Sequence, residues 1–469
     1  MKNTAQLSII SLSGILLIGV VFFSIDAASE LGSTYLFAFE NDYLADLTVP
    51  VNYEPRIAKG NSLAAAGYYS LAATEYALAI NIQEENPEAY TKLGNTYLTI
   101  GDTGKAVEQY KLAVDLTPWD TDTLIQYGKA LIHNKQFDEA GDVLYNLPSD
   151  TQEGFFYSGM LKAYFGEHDT AHDQFTSALG LGGSYAPTTI QNFINAFDEV
   201  NEMVEGDNSY LSAMLIEAYI DTEEFQLAEA LALRVLNETN DYRDVWILLG
   251  YAQLQTEQYQ SAEEAFKQAK TLDSIKPETH YFLGTAHYFQ KEYEEAVEAL
   301  ELALLYGFQP EEEAYRKMAE SHLFLEQYED ALESYEFLIK LNPSDINMFV
   351  RPIWISIDVL GDLNRALSLA EEAVSYFPSE AMSHNLLAWV YLERNEVEQA
   401  DAAIEIAFSI DPNLAEAHFN AGRIRELQGN LEGAKWEYKR AHELAKSGDS
   451  ISKVASEKYN ELLNQEKEE

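Results

Sequence analysis

An alanine recurs along this chain at almost constant spacing, and that spacing limits the fold more than any other feature. It falls at Ala72, Ala106, Ala140, Ala171, Ala228, Ala262, Ala296, Ala331, Ala366, Ala400 and Ala434. Nine of the ten steps lie within three residues of 34, and the tenth, from Ala171 to Ala228, is 57. A period near 34 is filled by two short amphipathic helices and their turns. One such unit cannot bury its own apolar stripe, so successive units must stack. Eleven units, covering about 53–448, are expected.

The clearest unit, 87–120, reads PEAYTKLGNTYLTIGDTGKAVEQYKLAVDLTPWD. Tyr90, Leu93, Gly94, Tyr97, Ala106, Tyr110, Ala113 and Pro118 hold its positions 4, 7, 8, 11, 20, 24, 27 and 32. This resembles the tetratricopeptide repeat, a 34-residue helix-turn-helix unit with small residues at positions 8 and 20 and bulky ones around them. Position 8 is Gly60, Gly94, Gly128, Gly159, Gly250, Gly284 or Gly422 in seven units, and Ala319 or Ala388 in two more. Gly101, Gly166, Gly361 and Gly429 stand where the first helix should stop. The resemblance implies an all-α, right-handed solenoid whose first helices line a concave groove that takes segments of other proteins.

Two places depart from the period. The step of 57 exceeds one unit by 23, and Ile190, Phe193, Ile194, Phe197 and Val200 recur at helical spacing after Pro187. An extra helix is therefore expected within 183–207, between repeats 1–4 (53–182) and repeats 5–11 (208–448). The unit after it has Ile216 at position 8 and Ala232 at position 24. In the unit at 347–380, Pro352 should start a shortened helix, and Trp354 at position 8 should widen the packing. Residues 449–469 read as a closing helix, apolar on one face, and a polar tail.

Leu7 to Ile25 is nineteen residues without a charge, about 28 Å as a helix, enough to cross a bilayer core. Lys2 precedes it, and no Lys or Arg follows until Arg56, which places the N-terminus in the cytoplasm and the repeats outside it. Residues 1–29 are read as a transmembrane signal anchor at a cell membrane. The alternative is a cleaved signal peptide, with small residues at Ala27, Ala28 and Ser29, giving a secreted or periplasmic protein. Residues 30–52 form an acidic stalk or linker.

Acidic residues number 78 against 30 basic ones, a net charge of −48. Nucleic acid and anionic lipid headgroups are poor partners for such a surface. The chain has no cysteine, so disulfides, thiolate zinc sites and cysteine nucleophiles are excluded. No phosphate-binding loop, nucleophile elbow or metalloprotease helix is present. His168 and His172 read as polar surface residues, and His280 and His287 as packing residues at positions 4 and 11. No catalytic residue, metal ligand or cofactor is nominated.

Carrying the family's groove-facing positions onto this sequence implies Phe156, Met160, Tyr164, Tyr251, Tyr281, Tyr288, Phe289, Arg316, Glu320, Phe324, Arg351, Asn385, Trp389, Phe419 and Arg423 as candidates for partner contact. Spaced aromatics among a few charges suit an extended segment or a helix of another protein. The expectation is a membrane-tethered, non-enzymatic interaction scaffold or assembly adaptor. A released solenoid binding a glycan or another envelope ligand is the alternative.

Overall fold

All eleven alanines of the ruler are fully buried in the computed structural model. The structure describes residues 52–147, 150–202, 208–446 and 450–468. These residues are helical, with no strand among them. They fall into two compact bodies, one ending at Lys291 and one beginning at Glu292.

The first body holds α1 (Tyr53–Ala65), α2 (Tyr69–Ile82), α3 (Pro87–Ile100), α4 (Thr103–Leu116), α5 (Thr121–His133), α6 (Phe137–Leu144), α7 (Gln152–Phe165), α8 (His168–Leu181), α9 (Pro187–Glu202), α10 (Asn208–Asp221), α11 (Phe225–Glu238), α12 (Arg243–Gln255), α13 (Tyr259–Leu272) and α14 (Pro277–Phe289). The second holds α15 (Tyr293–Leu305), α16 (Glu311–Phe324), α17 (Tyr328–Leu341), α18 (Asn347–Trp354), a π-helical turn (Ile355–Val359), α19 (Leu363–Tyr376), α20 (Ala381–Glu393), α21 (Val397–Ile410), α22 (Ala415–Leu427), α23 (Leu431–Leu444) and α24 (Ser450–Glu468).

Within each body the helices pack as antiparallel hairpins, and the reason is steric. A Cβ on Gly94 would lie 3.0 Å from the ring of Tyr110, and one on Gly250 would lie 2.5 Å from that of Phe266. Gly60 meets Tyr76 and Gly422 meets Tyr438 in the same way. The small residue at position 8 is the space that the ring at position 24 fills. The two irregular repeats reverse the pair. Ile216 and Ala232 share one apolar cluster, and Trp354 packs on the cluster that holds Ala370. The volume that Trp354 adds at position 8 is given up at position 24.

The turn within each hairpin needs a left-handed residue. Glycine supplies it at Gly67, Gly101, Gly166, Gly361 and Gly429. Lys135, Glu223, Glu257, Lys291, Glu326 and Asn395 occupy the equivalent places with φ between 57° and 66°. Side chains cap several first turns: the Asn86 and Asp102 carboxamide and carboxylate oxygens accept the backbone N–H of Glu88 and Lys105, each at 3.1 Å.

Pro352 does not start its helix. It lies inside α18, two residues before the end, and the backbone runs on as a π-helical turn. Proline has no N–H to return to Met348, so the ladder is already broken at that turn. It closes one residue late, with the Leu360 N–H on the Ile355 carbonyl at 2.9 Å and the Ser356 hydroxyl on the Pro352 carbonyl at 2.8 Å.

The apolar stretch expected to cross a membrane, Leu7–Ile25, lies outside the described residues. Among those described, no helix is long and apolar enough to do so.

Candidate partner-binding site

Successive first helices touch one another: α5 and α7, α10 and α12, and α12 and α14 in the first body, and α18 and α20, and α20 and α22, in the second. They form the lining on which the candidate residues sit, and the structure divides those residues sharply.

In the first body, Phe156 and Met160 on α7 are fully enclosed. The helix of the insertion is the cause. Phe193 on α9 stacks on Phe175 at 4.5 Å and meets Phe156 edge-on at 5.6 Å, while Tyr185 lies 4.4 Å from Phe156. The same helix explains His172, which is no idle surface group: its Nε2 lies 3.2 Å from Asp198. Tyr164 is half-buried between Phe137 and the guanidinium of Arg234. Tyr251 packs edge-on against Phe282, Tyr281 is buried beside the same ring, and Tyr288 is half-buried against Phe289. Phe289 is exposed and stacks on Tyr259 at 5.0 Å. His280 and His287 are buried.

In the second body, Asn385, Trp389 and Phe419 are buried. Asn420, from the next repeat, donates to the Asn385 carboxamide at 2.9 Å. Phe324 is exposed and stacks on Tyr293. Arg423 is held by Glu393 at 2.7 Å.

Arg316 and Arg351 are brought together. They line one cavity of about 450 Å³ in the second body, with Glu320, Tyr335, Leu338, Ser344, Asp345, Asn347, Met348 and Val350. Four elements make it: the inner face of α16, the second helix α17, the link between α17 and α18, and the first turns of α18. Leu338 is buried, and Tyr335, Met348 and Val350 are half-buried, so the wall is mainly apolar. The Arg351 guanidinium donates to the Tyr335 hydroxyl at 3.4 Å. Burial raises the Tyr335 phenol, and the Arg351 and Arg316 charges oppose that rise. The phenol therefore keeps its proton across the physiological range and remains a donor. Asp345 is committed to its own turn, accepting from the Asn347 backbone and carboxamide. Sequence reasoning missed Tyr335, Leu338, Met348 and Val350. Tyr335 stands at position 24, where a ring reads as packing alone, Leu338 and Val350 belong to no groove position of the repeat, and Met348 holds position 2 of its unit but was not singled out.

Models of the tetratricopeptide repeat match residues 87–118, 244–275, 277–306 and 359–413. This protein contains tetratricopeptide repeats. No curated protein matches it in sequence. Solved structures that resemble it include yeast Tom70, 16% identical over 88% of this chain and 96% of that one, with a TM-score of 0.32. A tetratricopeptide repeat protein from Parabacteroides merdae is 14% identical over 58% of this chain and 99% of its own, at 0.32. YrrB, a repeat protein with an unusual peptide-binding site, is 20% identical over 40% and 95%, at 0.33. The repeats identify a type of architecture whose members generally bind proteins, and they leave the chemistry of recognition to the groove residues of each member.

Proposed function

We propose that this protein is a non-enzymatic interaction scaffold that holds a segment of a partner protein against its first helices. Its N-terminal apolar stretch would tether it to a cell membrane with the repeats on the far side. The observation that carries the reading is the cavity at α16–α18. There the inner face offers an apolar recess beside two guanidiniums, whereas the first repeats of the insertion region are closed by α9. Partner segments anchor through a few side chains in such recesses.

The full-length protein, purified in detergent, is used to capture envelope proteins beside a Val350→Trp variant, whose indole fills the recess. The reading requires a protein retained by the native form and lost from a variant with unchanged helical circular dichroism. Identical retention by both removes the α16–α18 recess as the binding site. N-terminal sequencing of the mature protein separates the tethered form from the released one, and a reporter after Glu469 found in the cytoplasm would overturn the topology.

A further inference from the structure

A second cavity, of about 190 Å³, belongs to the first body. It lies where α6 stops, at Leu144 after eight residues, whereas the second helices α2, α4 and α8 each run fourteen. On α7 the residues that line it are Gly154, Phe155, Ser158 and Lys162. Ser158 and Lys162 hold positions 7 and 11 of their unit, where the clearest unit has Leu93 and Tyr97. Two positions that carry large packing side chains in that unit thus carry a hydroxyl and an ammonium here, beside a hole. Ser158 is only 4% exposed and lines the cavity. Among the described residues its side chain has no hydrogen-bond partner. A buried hydroxyl without a partner costs stability, so this one is placed for a group from outside the chain.

The lining narrows the chemistry of that group. The Lys162 ammonium is balanced by Glu167 at 3.0 Å and lies 4.1 Å from the centre of the Tyr145 ring. Asp150 adds a carboxylate to the wall. The site therefore has no positive excess and does not select an anion. Gln174, half-buried, offers a carboxamide that both donates and accepts, as the Ser158 hydroxyl does. Leu144, Leu147 and Phe155 form the apolar part. We propose that this cavity binds one neutral sugar ring of a glycan. Each sugar hydroxyl both donates and accepts, which suits a wall where donors and acceptors are mixed: Asp150 accepts, Lys162 donates, and Ser158 and Gln174 do either. The C–H face of the ring lies toward Phe155, whose π face is negative. The volume equals that of about six water molecules and falls below the roughly 300 Å³ at which larger ligand pockets begin, so one ring fits and a longer stretch does not. This site stands apart from the scaffold reading, which rests on the recess at α16–α18.

Saturation-transfer NMR on the full-length protein, in a detergent without a sugar headgroup, tests this. Three probes are titrated: methyl β-glucopyranoside, methyl N-acetyl-β-glucosaminide and, as a control for a protein side chain, N-acetylglutamine amide. The expected result is a saturable signal from one or both glycosides and none from the amide. Ser158→Leu restores the leucine that the clearest unit holds at position 7 and fills the cavity. It should abolish the signal while the thermal midpoint stays level or rises, because filling a hole in the packing is stabilising. Ser158→Ala keeps the cavity and removes only the hydroxyl, so it should raise the half-saturating concentration about threefold to tenfold; it decides the matter should the leucine variant fail to fold. Absence of a saturable signal from both glycosides would overturn the proposal and leave the cavity to water. Binding retained by a folded Ser158→Leu variant would place the sugar elsewhere, and a signal from the amide alone would make the cavity a pocket for a protein side chain; either result overturns it as well. None of these outcomes bears on the recess at α16–α18, which the capture experiment tests separately.

Discussion

Glu224 offers the sharpest energetic test of the structure. It lies in the turn between α10 and α11 and is only 5% exposed. One of its oxygens accepts the Tyr157 hydroxyl at 2.7 Å, and that hydroxyl in turn accepts from Tyr185 at 3.0 Å. The other oxygen, Oε2, is buried with no partner. Burial raises the Glu224 carboxyl above its ordinary range, and Glu223 adds to the rise. His133, the Tyr157 hydrogen bond and Lys129 oppose it. Lys129 is itself committed to Glu153 at 3.0 Å. The folded protein therefore holds this proton to higher pH than the unfolded one. The stability linked to it is complete below the ordinary carboxyl range and is lost as pH rises through the folded value.

Glu224→Gln keeps the shape and removes the titration. An unsatisfied buried polar group costs about 1–3 kcal/mol, and more when charged. The amide still leaves one group without a partner, so the gain at pH 8 should be about 1–2 kcal/mol. Near pH 4, where the native carboxyl is protonated, the two proteins should be equally stable. Thermal unfolding from pH 4 to 8.5 measures the difference, and hydrogen exchange at the amides of α5, α7 and α11 places it. The midpoint should rise with the variant by roughly 2–4 °C per kcal/mol. A difference that does not change with pH, or a variant less stable than the native protein at pH 8, would refute the argument. The second result would mean that Lys129 and His133 hold Glu224 as a satisfied carboxylate.

Three further outcomes follow from the same geometry. Gly250→Ala places a methyl group 2.5 Å from Phe266 and should destabilise the first body by about 1–3 kcal/mol, measured by urea unfolding; Gly104→Ala, which meets nothing within 4 Å, should cost nothing. Glu257, held at φ 59°, should be improved by Glu257→Gly by about 0.5–1 kcal/mol, since a left-handed non-glycine residue costs roughly 1–2 kcal/mol and glycine gives part of that back as unfolded-state entropy; an unchanged midpoint would show that the turn is not strained. The Asp358 carboxyl is pushed up to about 6, by burial first and then by Glu393, with Arg423 opposing. Its ¹³C-carboxyl titration should therefore fall near pH 6, Glu393→Gln should lower that midpoint and Arg423→Met should raise it.

The alanine ruler located the second helix of every hairpin because position 20 tolerates no other volume, and a constraint of that kind leaves a mark in every copy. The left-handed turn is just as strict in backbone, but it marks the sequence only where glycine fills it. Lys135, Glu223, Glu257, Lys291, Glu326 and Asn395 make the same turn and are invisible to a search for glycine. The pairing of positions 8 and 24 was half legible. Gly250 announced itself, whereas Ile216 with Ala232 and Trp354 with Ala370 look like decay when each position is read alone. Taken as pairs they conserve volume, so the irregular repeats obey the same packing rule as the regular ones.

The groove was less legible for a related reason: a position in a repeat predicts direction, and accessibility depends on what neighbours the fold adds. Phe156 and Met160 hold groove positions, yet α9 is inserted beside them and its Phe193 closes the space. Asn385 holds one too and spends its carboxamide oxygen on Asn420. Arg316 and Arg351 instead line a recess bordered by the link between α17 and α18, which is five residues long where the link between α2 and α3 is four. The residues to vary in a binding assay are therefore those that line this recess, Arg316, Leu338, Met348 and Val350 first among them.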